Sequence, residues 1–212
     1  MLKQEQMFRS ALTELGVPFR AKDIQVKHLD GITTFKGREF GLVFPNAAVR
    51  DSFGPLFETR EISYNFSGFF EPNGGRAEAL YPFSALSGAK IVNSKWGRVP
   101  LLKKFNGRGY IADMRNSQFA LCPMHSTWPG PAKSAWTYRF AEAVLNGAIP
   151  VTFRDLPLGR NFTKGFKFFD SEELLSGGVP ADLAAEIQAF NFAVGKERFN
   201  LNKQAFEREI SG

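Results

Sequence analysis

Apolar residues recur along this chain in two distinct rhythms. Over residues 2–15, LKQEQMFRSALTEL, they return every three or four positions with polar residues between them. That spacing predicts a helix with one buried face, ended by Gly16 and Pro18. From Ile24 to Phe44 the runs IQVKH and FGLVF are short and strand-like, separated by glycine-containing turns. Residues 45–61, PNAAVRDSFGPLFETRE, keep neither rhythm and read as a connection.

A regular alternation follows. EISYNFSG (61–68) predicts a strand and GGRAEALYPFSAL (74–86) a helix behind a glycine-rich turn. AKIVNS (89–94) is a strand, YIADMRNS (110–117) a short helix and QFALCP (118–123) a strand. A loop rich in proline and tryptophan leads to a helix over about 134–146, stopped by Gly147. IPVTF (149–153) and FKFFD (166–170) complete the strands, and Asp170 or Ser171 caps the helix of DSEELLS. From Pro180 to about Ile210 the pattern is helical, with one or two breaks near Gly195. Strand and helix alternating in this way predict an α/β fold, a parallel sheet flanked by helices over 61–212, preceded by a small N-terminal portion at 1–60. No internal repeat interrupts it.

Composition sharpens the picture in three places. The chain has 23 Phe against 4 Tyr and 3 Trp, so most aromatic side chains have no polar handle and belong in a core. Its net charge of +6 favours anionic partners. No Lys/Arg run or basic-aromatic repeat accompanies that charge, which argues against nucleic acid. Cys122 is the only cysteine, so no intramolecular disulfide forms, and His28 and His125 lack metal-ligand spacing. The first residues lack the apolar stretch of a secretory signal, and no segment approaches the ~20 apolar residues of a membrane span. A cytoplasmic location is the expectation.

Ligands of parallel α/β sheets bind at the carboxyl ends of strands, which directs attention to the loops at 67–76, 94–109 and 123–137. The richest is CPMHSTWPGPAKSAWTYR, residues 122–139. Lys133 and Ser134 fall where the next helix is expected to begin, joining a lysine to exposed N–H groups and a helix dipole, an arrangement suited to a diphosphate. Arg139 adds a planar fork for phosphate oxygens. Glu142 offers a carboxylate for a ribose diol, or else forms a plain salt bridge with Arg139 three residues away. Thr137 and His125 share this loop. In YNFSGFFEPNGGRAEAL (64–80), Ser67 and Gly68 end a strand, and Gly68 lets the backbone pass close to a ligand. Arg76 opens the following helix. Neither G-x-G-x-x-G nor a P-loop is present, and no G-x-S-x-G marks a serine hydrolase. His28, with Asp30 close by and Asp23 upstream, is a base candidate.

The ordered set YNFSGFF…GGRAEAL, MRNSQFALCPMHS and WTYRFAEAVLNGAIPVTFRD resembles the C-terminal half of exostosin-like glycosyltransferases, which have the two-domain GT-B architecture. The resemblance spans about 61–155. It implies a Rossmann-like nucleotide-sugar domain and a glycosyltransferase that moves a sugar from a nucleotide sugar, most often a UDP-sugar, to a glycan acceptor, with inversion. It also implies Arg139 on the diphosphate, Arg76 assisting there and Glu142 on the ribose, with no metal or other cofactor. Only about 60 residues precede the matching region, so the acceptor side, with His28 and Asp30 as its catalytic candidates, is expected to be reduced or supplied by a partner chain. A non-catalytic nucleotide-sugar-binding module is the nearest alternative. A basic nucleic-acid-binding or scaffold protein is the other.

Overall fold

The computed structural model describes residues 3–27, 31–44, 59–93, 108–123, 137–153, 163–199 and 203–211. Helix α1 (Lys3–Glu14) buries Met7, Phe8, Ala11 and Leu12, the apolar stripe its spacing predicts. Strands β1 (Ile24–Lys27), β2 (Ile32–Phe35) and β3 (Arg38–Phe40) then form an antiparallel meander. The middle strand ITTF is not among the strand-like runs of the sequence, because its inward position Thr33 is polar and breaks the apolar alternation. That buried hydroxyl is satisfied by Gln4 Nε2 at 3.0 Å. FGLVF is a strand only as far as Phe40; Leu42, Val43 and Phe44 are core residues in irregular backbone. Lys36 and Gly37 turn the β2–β3 hairpin with φ of 48° and 83°, the double positive φ that two-residue hairpin loops favour.

The larger sheet has five strands, all parallel: β4 (Ile62–Gly68), β5 (Ala89–Asn93), β6 (Ser117–Leu121), β7 (Ile149–Thr152) and β8 (Phe169–Asp170). Between them run α2 (Gly75–Ser84), α3 (Arg108–Arg115) and α4 (Tyr138–Leu145), followed by α5 (Ser171–Gly177), α6 (Ala181–Phe199) and α7 (Lys203–Ser211). The expected α/β fold, a Rossmann-like parallel sheet flanked by helices, is what the chain adopts. FKFFD contributes only its last two residues as strand, because Phe166 leaves the sheet to pack on Phe140 and Phe199.

Strand order is β5-β4-β6-β7-β8. The chain leaves β4 on one side to form β5, then crosses back to lay β6 on the other. The order therefore reverses between β4 and β6, and the carboxyl ends of these two strands are where sheets of this kind bind their ligands.

Side chains alternate across this sheet as the pleat requires. Phe66, Phe119, Leu121, Ile149 and Val151 meet Leu80 and Phe83 of α2 and Ala184 and Ile187 of α6. Ala120 joins Met114 of α3 and Ala143 of α4 in a smaller cluster. A third cluster joins Phe140, Val144 and Leu145 of α4 to Phe199, Met7 and Leu42. The fourth holds the meander together: Phe8, Leu12, Phe35 and Phe40 close around Phe206 of α7. The small N-terminal portion thus shares its core with the last helix described.

The helical stretch divides near Gly195 as expected, α6 ending at Phe199 and α7 beginning at Lys203, but α6 runs unbroken through Gly195 itself. Glycine serves packing there: a Cβ on Gly195 would lie 2.5 Å from Val144 Cγ1, a fully buried and stiff side chain. Gly195→Val is therefore expected to destabilise the protein by about 1–3 kcal/mol through overpacking. Urea unfolding checks this, and Val144→Ala in the same chain should recover part of the loss.

Candidate functional site

Both arginines singled out in the sequence sit at the second residue of a helix. Helix α2 begins at Gly75 behind the N-cap Gly74, which places Arg76 in its first turn. Helix α4 begins at Tyr138, with Thr137 as N-cap in extended backbone, which places Arg139 likewise. This start corrects the expected one near residue 134. The free N–H groups of the first turn belong to the segment from Tyr138 onward. Thr137 makes no capping bond with its side chain, and its buried Oγ1 has no hydrogen-bond partner among the described residues.

The two guanidinium groups meet at the carboxyl ends of β4 and β6. Arg76 donates from Nη1 to the Phe69 carbonyl at 2.8 Å and from Nη2 to the Pro123 carbonyl at 3.2 Å, tying the two strand ends together. Arg139 donates from Nη2 to the Ser67 carbonyl at 2.7 Å and from Nη1 to the Tyr110 hydroxyl at 3.3 Å. The Phe66 ring lies against both cations, 4.4 Å from Arg139 Cζ and 5.8 Å from Arg76 Cζ. The ring's electron-rich faces attract both cations and offset part of their mutual repulsion.

Gly68 belongs to the same contact. A Cβ there would come within 2.7 Å of Arg139 Nη2 and 3.0 Å of the Phe66 ring. The backbone at Gly68 thus passes close to the Arg139 side chain.

Arg139 and Glu142 are joined through Tyr110 of α3. The Tyr110 hydroxyl accepts from Arg139 and donates to Glu142 Oε2 at 2.8 Å. No ion pair among the described residues involves Arg139, and its other N–H groups carry no hydrogen bond there. Burial brings the Arg76 guanidinium down to about 10, with the charge of Arg139 adding to the effect, so Arg76 remains cationic at neutral pH. Burial likewise raises the Tyr110 phenol well above its usual value and pushes the Cys122 thiol up to about 12. A thiol held in that state is a core group and not a nucleophile.

No protein-family model and no curated protein matches this chain. Function has to be argued from the site itself.

Of the residues singled out in the sequence, Arg76, Arg139, Ser67, Gly68, Thr137 and Glu142 surround the carboxyl ends of β4 and β6 or the start of α4. His28, Asp30, His125, Lys133 and Ser134 lie outside the described residues. Asp23 is committed locally: its carboxylate accepts from the Arg20 backbone N–H at 3.0 Å, the chief reason its pKa falls. Among the described residues no group of three or more His, Cys, Asp or Glu could hold a metal ion, and no helix is long and apolar enough to cross a membrane.

Sequence reading missed Tyr110 and Phe66. Phe66 stands among 23 phenylalanines and carries no mark of its own. Tyr110 lies in a short helix 29 positions before Arg139, so only the packing of α3 beside α4 brings the two together.

Proposed function

We propose that the site at the carboxyl ends of β4 and β6 binds the diphosphate of a nucleotide sugar, and that the protein is a glycosyltransferase of exostosin-like type. One observation carries the reading: two guanidinium groups, each in the first turn of a helix, converge at the point where the strand order reverses. Helix N-termini and paired arginines both favour an anion, and a parallel sheet offers its ligands this location. A nucleotide sugar reacts by losing its diphosphate, on which negative charge grows as the glycosidic bond breaks. Donors fixed beforehand at that position stabilise the charge without reorganising. Arg139 would face the diphosphate with its remaining N–H groups while Arg76 braces the strand ends. Glu142, one turn deeper in α4, would receive the ribose hydroxyls.

The ordered motifs at 61–155 support a UDP-sugar as donor and a glycan as acceptor, with inversion at the transferred carbon. The acceptor and the base then fall to the N-terminal portion, where His28 and Asp30 are the candidates, or to a partner chain.

Calorimetric titration of UDP into the purified protein tests the site. Saturable 1:1 binding is expected, weakened at least tenfold by Arg139→Ala, about 1.4 kcal/mol. Silence toward UDP, GDP and ADP alike would remove the reading. Binding without transfer from any UDP-sugar would instead identify a binding module. Steeply salt-dependent binding to RNA or DNA, indifferent to Arg139→Ala, would point to the nucleic-acid alternative.

A further inference from the structure

We propose that Tyr110 is the positioning residue of this site, holding Arg139 and Glu142 at one fixed separation so that phosphate and ribose of a nucleoside diphosphate are gripped together. The inference rests on the donor-site reading above and adds a residue to it.

The chemistry of a hydroxyl makes the case. A phenol has one hydrogen to give and lone pairs to receive. A carboxylate can only accept and a guanidinium can only donate, so the hydrogen goes to Glu142 Oε2 at 2.8 Å and a lone pair takes Arg139 Nη1 at 3.3 Å. The Tyr110 ring also lies 5.4 Å from Arg139 Cζ. Arg139 is thus held on three sides, by this ring, by the Phe66 ring and by the Ser67 carbonyl.

Spacing on α4 shows what the hydroxyl prevents. Residues three apart on a helix are neighbours, and an arginine and a glutamate so placed ordinarily pair directly. Direct pairing would turn both groups toward each other and away from a ligand. The hydroxyl between them satisfies one N–H and one carboxylate oxygen and keeps the two groups distinct. Side chains fixed in the binding geometry before the ligand arrives lose less entropy when it does.

Burial adds robustness. The phenol is partly buried and its pKa is pushed well above the usual value, chiefly by desolvation, so the link keeps the same protons throughout the neutral region. The Met114, Ala120, Ala143 and Ala148 cluster packs against the ring and fixes its place.

The test has a ligand-free arm and a ligand arm. In nitrogen-resolved NMR of the arginine side chains, the wild-type protein is expected to show separate, slowly exchanging Nη signals for Arg139. Their loss in Arg139→Lys assigns them. In Tyr110→Phe, which keeps the ring, these signals should merge as the guanidinium begins to rotate. In calorimetry, Tyr110→Phe should weaken UDP at least fivefold. Adding Glu142→Gln to it should cost less than Glu142→Gln costs alone, because coupled groups are not additive.

Merged Arg139 signals in the wild type, a spectrum that needs no variant, would overturn the proposal. So would UDP affinity in Tyr110→Phe within twofold of wild type. If wild-type protein binds no UDP, the donor reading falls instead, and the arginine signals decide on their own whether Tyr110 holds Arg139.

Discussion

Replacing Phe206 with alanine is expected to cost about 3–5 kcal/mol, the range for emptying a buried aromatic site. Phe206 is 2% exposed and stacks on Phe40 with ring centroids 5.7 Å apart, while Phe35 stands 5.8 Å away on its other flank. Phe8 of α1 packs against the same two rings of the meander. Removing the α7 ring therefore opens a cavity among three other phenylalanines that have no short side chain to fill it. Urea unfolding followed by circular dichroism measures the loss. A change under 1 kcal/mol would mean that the meander closes its core without α7. The effect should be on stability alone, since Phe206 belongs to a different cluster from Phe66 and the two guanidinium groups.

Phe66→Ala is expected to be as costly to the fold, again about 3–5 kcal/mol, and to damage the site as well. Phe66 is fully buried in β4, packs in the largest face of the sheet and carries both arginines on its ring. Phe66→Leu separates the two roles. It keeps most of the apolar volume, so stability should fall by less than about 1.5 kcal/mol. It removes the aromatic surface, worth up to about 2 kcal/mol to a desolvated cation. UDP affinity should then fall in Phe66→Leu by more than its stability loss accounts for. Equal affinity in wild type and Phe66→Leu would show that the ring serves the core only.

The parallel sheet was legible because its strands are short apolar runs bounded by glycine, and its helices carry buried faces. The β4 strand, the Asp170 cap and the first turn of α2 follow from such local patterns, and Asp170 indeed accepts from the Glu172 N–H at 2.9 Å. Where the sequence misled, a tertiary contact had overridden a local rule. Thr33 hides the β2 strand because Gln4, 29 residues away, supplies its hydrogen bond. Gly195 looks like a helix breaker and is a point of close approach to Val144. The site shows the same division. Arg139, Arg76 and Gly68 stand out by residue type and by their place at strand ends or helix starts. Tyr110 does not, because its role exists only once its helix packs beside α4.

The core shared by α1, the meander and α7 also bears on the order in which the chain can fold. Phe8 and Phe206 lie in one cluster although 198 positions separate them along the sequence. Such distant contacts form late, since the loop between them must first be closed at an entropic cost that grows with its length. During synthesis the meander emerges before the parallel sheet and has to wait for the sheet and α7 before its phenylalanines are covered. Until then it exposes the phenylalanines of its inner face to its neighbours, the condition under which chains associate wrongly. The aromatic seam between α1, the meander and α7 thus closes after the sheet, and a ribosome paused before α7 would hold a chain whose sheet is built and whose meander is still open.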